Sequence, residues 1–189
     1  MKTYTYPKAF TYHSDSRGEY VEGGGRTTCQ LLNAVARVTG RYYVDKSKSG
    51  MSLVRGAESG LFKKTGGTAI STLIGNDAIG AFMGLVDVDQ VRKAFFDMVG
   101  VIGARRLIVI IPGDCAPWRL NPNMSEADYS EFLKVYFDYR LYLRGWCNKA
   151  SVPYFVSEVT ADASDLIHYR KGAHFKQALF VNDVARGMA

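Results

Sequence analysis

Two carboxylates, Asp114 and Glu158, sit where short apolar runs give way to polar chain. Asp114 follows Leu107–Ile111 and the stop Pro112-Gly113, and Glu158 stands near the end of Val152–Val159. If those runs are neighbouring strands of a parallel sheet, both carboxylates fall at its carboxyl edge, where ligands of such sheets bind. A pair there could hold Mg²⁺ through oxygen ligands or divide acid and base roles. A second group is Gly23-Gly24-Gly25-Arg26-Thr27-Thr28, directly before a helical pattern. A glycine turn at a helix N-terminus offers unpaired N–H groups and a positive dipole end, which suits phosphate. Arg26 adds a bidentate donor and Thr27 or Thr28 a hydroxyl. The spacing is neither GxxxxGK[ST] nor GxGxxG.

Cys29 falls in the first turn of the same helical pattern, where the dipole favours thiolate, and His168 or His174 could serve as its base. The three histidines are scattered and no CxxC pair exists, which argues against zinc. The third group is basic: Lys46, Lys48, Arg55, Lys63 and Lys64 share a glycine-containing loop region, about 45–67, which from Lys46 to Gly67 holds one acid, Glu58. With Arg41-Tyr42-Tyr43 beside it, this stretch has the cations and rings that suit single-stranded nucleic acid.

The elements that must position these groups follow from periodicity. Leu107–Ile111 is an uninterrupted aliphatic run, as expected of a strand buried on both faces. Thr3–Tyr12 alternates and predicts a strand, placed at an edge because Pro7 cannot donate to a ladder. Further strands are predicted at Glu19–Glu22, Tyr42–Val44, Met51–Val54, Thr68–Ile74 and Val152–Val159, with Gly75-Asn76-Asp77 as a turn. Leu31, Leu32, Val35 and Val38 fall at helical spacing, ended by Gly40. Ile79, Phe82, Met83 and Val86 mark a short helix. Asp87 or Asp89 caps the next, whose inner face is Val91, Ala94, Phe95 and Met98. Asn123 with Glu126 forms a capping-box pattern before the longest helix, striped by Tyr129, Phe132, Leu133, Tyr136, Leu143 and Trp146. A last helix, His174–Ala185, turns Phe175, Leu179 and Asn182 to one side. The fold class expected is α/β: one domain over 1–189, with a mixed, mostly parallel sheet and helices on both faces, a Rossmann-like layering.

Composition narrows the class further. The 189 residues are 47% hydrophobic and 22% charged, as in ordinary globular chains, and no apolar run approaches the roughly 18 residues of a membrane helix. Residues 1–7 lack the apolar core of a signal peptide, and three cysteines without pair spacing point to free thiols and a cytoplasmic setting. The net charge of +6 and pI near 9.2 favour a polyanionic partner. The leading expectation is therefore a nucleotide- or phosphate-ligand protein, an enzyme using Asp114 and Glu158 with Mg²⁺. Its alternatives are a non-enzymatic basic module gripping nucleic acid or an acidic protein, and a cysteine hydrolase using Cys29.

Overall fold

The computed structural model describes residues 9–15, 30–113, 123–157 and 171–187. Five strands form one all-parallel sheet: β1 (Phe10–His13), β2 (Tyr43–Asp45), β3 (Ala69–Ser71), β4 (Leu107–Ile111) and β5 (Tyr154–Val156), in the order β2-β1-β3-β4-β5. The helices are α1 (Gln30–Thr39), α2 (Leu53–Glu58), α3 (Gly75–Phe82), α4 (Val88–Ile102), α5 (Glu126–Ala150) and α6 (Lys171–Gly187). None described is long and apolar enough to cross a membrane.

β4 shows why the sheet is covered on both sides. All five of its residues are buried, and the two-residue period of a strand sends them alternately to two cores. Leu107, Val109 and Ile111 join Phe95, Met98, Phe132 and Leu143 of α4 and α5. Ile108 and Ile110 join Phe10, Tyr12, Val35, Ala178 and Val181, from β1, α1 and α6. One face thus carries α2 to α5 and the other carries α1 and α6, as an α/β layering requires.

Several expectations are corrected. The sheet is parallel throughout rather than mixed. β1 lies inside it, between β2 and β3: Pro7 precedes the paired stretch, and Phe10–His13 holds no proline, so both sides are free to pair. Met51–Val54 is no strand, because α2 begins at Leu53 with Ser52 as its N-cap, Oγ accepting from Arg55 N at 3.2 Å. Gly75-Asn76-Asp77 is the first turn of α3 rather than a free turn. α5 is capped by Ser125, whose Oγ accepts from Asp128 N at 3.1 Å, not by Asn123. On α6 the buried side is Gln177, Ala178, Val181, Asn182 and Ala185, leaving Phe175 and Leu179 exposed; Leu133 of α5 is exposed as well. Asp87 does cap α4 with a full capping box, and Gly40 does end α1, at φ +65°. Glu19–Glu22 lies outside the described residues.

Candidate functional site

The strand order fixes where a site belongs. The chain leaves β1 toward β2 through α1 on one face, then returns past β1 to β3, which it leaves through α3 and α4 on the other face. Connections that part to opposite faces open a crevice between the carboxyl ends of β1 and β3, the position where open parallel sheets bind ligands.

Three segments meet there. The chain beyond β1 is gripped from both sides: Ser14 O accepts from Lys48 N at 3.0 Å, and His13 O from Thr72 N at 3.0 Å. Side chains repeat the clasp, with Ser14 Oγ 2.6 Å from Thr72 Oγ1. Ser14 and Asp15 are both buried, so this turn is built into the fold. Opposite, α3 opens with Gly75-Asn76-Asp77, and two of its side chains hold the segment before α2. Asn76 Nδ2 donates to Met51 O at 2.8 Å, while the Asp77 carboxylate accepts from Leu53 N at 2.8 Å and Val54 N at 3.2 Å. Asp77 thereby serves the first N–H groups of α2 from a position 24 residues away in sequence.

Burial pushes the Asp77 carboxyl up to about 6, with the nearby Asp15 charge adding a smaller upward push against the pull of its hydrogen bonds. His13, at the end of β1, is held down to about 4 by burial and then by the charge of Lys46, so its ring is neutral at pH 7. The half-buried Asn76 amide has a second N–H beside the one given to Met51. A primary amide at the start of a helix is a donor suited to an oxygen that gains negative charge.

At the far end of the edge, Tyr136 OH donates to Gly113 O at 3.0 Å and Gln177 Nε2 to Ser157 Oγ at 3.2 Å, tying α5 and α6 to the ends of β4 and β5. β4 and β5 are neighbours, as the Asp114–Glu158 pairing requires. Asp114, Glu158, the Gly23, Gly24, Gly25, Arg26, Thr27, Thr28 turn and Cys29 all lie outside the described residues. Among the described residues no cluster of three or more His, Cys, Asp or Glu could hold a metal ion. Cys147 is buried and its thiol is pushed up to about 12, an inert core group. The basic residues do not form one stripe. Lys46, Lys63 and Lys64 line a single cavity, while Arg55 turns back to donate to Gly50 O at 3.1 Å; Lys48 is not part of that lining and is placed by its backbone bond to Ser14.

No protein-family model matches the chain, and no curated protein does. Solved structures match nearly all of it. A lipase/acylhydrolase from Enterococcus faecalis superposes with a TM-score of 0.66 at 14% identity, covering 95% of this chain and 96% of its own. Est24, a carbohydrate acetylesterase from Sinorhizobium meliloti, gives 0.67 at 13%, covering 96% and 100%. A putative lipolytic protein of the G-D-S-L family from Desulfitobacterium hafniense gives 0.68 at 12%, covering 94% and 99%. The chain has the layered fold of these proteins. They also overturn the expectation of a nucleotide- or phosphate-ligand protein and its nucleic-acid alternative, since the proteins that share this sheet are named for ester hydrolysis. Glycines before a helix and a basic charge are properties of many folds, which is why they misled.

Ser14-Asp15-Ser16 is not among the groups singled out from the sequence above. It stands directly after an aromatic strand, and elsewhere Asp165 precedes His168 by three residues.

Proposed function

We propose that the chain is an ester hydrolase with a serine nucleophile, acting on esters of small acyl groups. The observation that carries this is the buried pair Ser14-Asp15 leaving β1 at the switch-point crevice, with Asn76 opening α3 across it; Ser16 is the next residue in sequence. The G-D-S-L name of one structural neighbour supplies the comparison. Here the stretch reads Ser14-Asp15-Ser16-Arg17, keeping the Asp-Ser pair, with Ser14 in the glycine place and Arg17 in the leucine place. The Ser14 hydroxyl is absorbed by Thr72, which leaves Ser16 as the candidate nucleophile.

A serine needs a base, and the base needs a group that orients it. Of the three histidines, His13 belongs to the end of β1 and is held neutral well below neutral pH, and His174 lies within α6. His168 has Asp165 three residues before it, in the connection whose described ends are Ser157 and Lys171. We assign Ser16 as nucleophile, His168 as base and Asp165 as its orienting acid. Ser16 Oγ adds to the ester carbonyl while His168 takes its proton. The oxyanion accepts from Asn76, and collapse expels the alcohol with the proton returned by His168. Water then repeats the sequence on the acyl-serine and releases the acid.

Hydrolysis of p-nitrophenyl acetate tests the assignment. Ser16→Ala should lose at least ~10³-fold in kcat, and Asn76→Ala roughly 10²-fold, with circular dichroism unchanged. A fluorophosphonate should label Ser16 in the wild type alone. Full activity in Ser16→Ala, or no hydrolysis and no labelling in the wild type, would sink the proposal.

A further inference from the structure

Away from the Asn76 side of the crevice, the structure holds a cavity of about 580 Å³ between β1, β2 and the segment 60–67. No residue of a described helix lines it: Thr11 and His13 of β1 and Val44 of β2 contribute on one side, and Leu61, Lys63 and Lys64 on the other. Three cations, Lys46, Lys63 and Lys64, line it, and none has a carboxylate partner among the described residues. His13, 1% exposed, also lines it, and neither of its ring nitrogens has a hydrogen-bond partner among those residues. A buried imidazole with both nitrogens unmatched costs free energy that a ligand accepting its N–H would recover.

We propose that this cavity binds a small organic carboxylate, its acid group taken by Lys46, Lys63, Lys64 and the His13 N–H, its apolar part lying on Val44 and Leu61. The cations call for an anion. The aliphatic walls call for a carbon tail, which an inorganic anion lacks. The three lysines are exposed at the mouth of the cavity, and a neutral His13 offers one buried N–H donor to a carboxylate oxygen without adding a buried charge, the Lys46 charge helping to keep it neutral. Edge-on, Phe62 fixes the ring, with centroids 5.6 Å apart and planes at 74°, so the donor direction is set before a ligand arrives. The inference does not rest on the proposed serine chemistry.

Isothermal titration of the full chain with sodium butyrate, at constant ionic strength and pH 7, is the test, with butyramide and sodium sulfate as comparison ligands. Butyrate should bind, and the other two at least ~10-fold more weakly, since each lacks either the charge or the tail. Lys63→Gln/Lys64→Gln should weaken butyrate ~10-fold or more, as should His13→Phe, which keeps a ring against Phe62 but removes the N–H. Lys93→Gln, at a lysine paired with Asp97 on α4, should leave it unchanged. Ser16→Ala should bind as the wild type does, whether or not the chain proves to be an esterase. Equal binding of butyrate and butyramide, no butyrate binding, or insensitivity to the lysine pair would overturn the inference. So would loss of binding in Ser16→Ala, which would place the ligand at the serine.

Discussion

His13 and Asp77 are both buried, and their burial gives stability opposite slopes with pH. The folded His13 ring titrates near 4 against 6.5 when free, so from pH 6.5 down to 4 the unfolded chain takes a proton that the folded one refuses. Stability from this group therefore falls as pH drops. The Asp77 carboxyl titrates near 6 against 3.8, so the folded chain keeps a proton that the unfolded chain has lost, and stability falls as pH rises through the same window. At about 1.4 kcal/mol per pH unit, each shift is worth roughly 3 kcal/mol, and the two nearly cancel. Urea unfolding between pH 4 and 6.5 should show the wild type gaining about 3 kcal/mol on His13→Phe as pH rises and losing about 3 kcal/mol to Asp77→Asn. Parallel curves for all three proteins would refute the opposition. None of this was legible in the sequence. Asp77 read as a turn residue, because the N–H groups that it serves are 24 positions away. The roles proposed for Ser16 and Asn76 rest on position along the chain, just beyond the first strand and at the start of α3.

At the scale of elements, α2 is the one the sequence concealed. Leu53–Glu58 is six residues long with a glycine inside it, too short for a periodic stripe, and its start is capped by Ser52 and Asp77. Gly56 is required by contact: a Cβ there would stand 2.7 Å from Phe62 Cζ. Gly56→Ala gains about 1 kcal/mol of helix propensity. It also drives a buried ring toward His13, and overpacking of that kind costs about 1–3 kcal/mol. The clash should win, with a net loss of about 1–2 kcal/mol in chemical denaturation that Phe62→Leu partly restores. A more stable Gly56→Ala would show that Phe62 moves freely. Longer elements were easier to read. α4 and α5 carry enough turns for their buried faces to repeat, and β4 was recognisable from five apolar residues in a row. What went astray was edges and caps, since Pro7 argued from a residue beyond the paired stretch and Asn123 matched a pattern that Ser125 completes.

For the whole molecule, β4 joins two cores that share only the sheet between them. Leu143→Ala on one side should cost about 2–5 kcal/mol, and Ile110→Val on the other about 0.5–1.5 kcal/mol. The double variant should lose the sum in a single transition with an unchanged m-value, because the sites are separate but unfold together. A biphasic curve would show two units instead of one. The core built around β1 has a further consequence for synthesis. Its covering layer pairs α1 with α6, an early helix with the last described one, so Phe10, Tyr12 and Val35 lack their lid until Lys171–Gly187 has been made. Contacts so distant along a chain form slowly. A nascent chain halted before Lys171 carries that aromatic face open, a surface for chaperones to hold while the ribosome finishes the work.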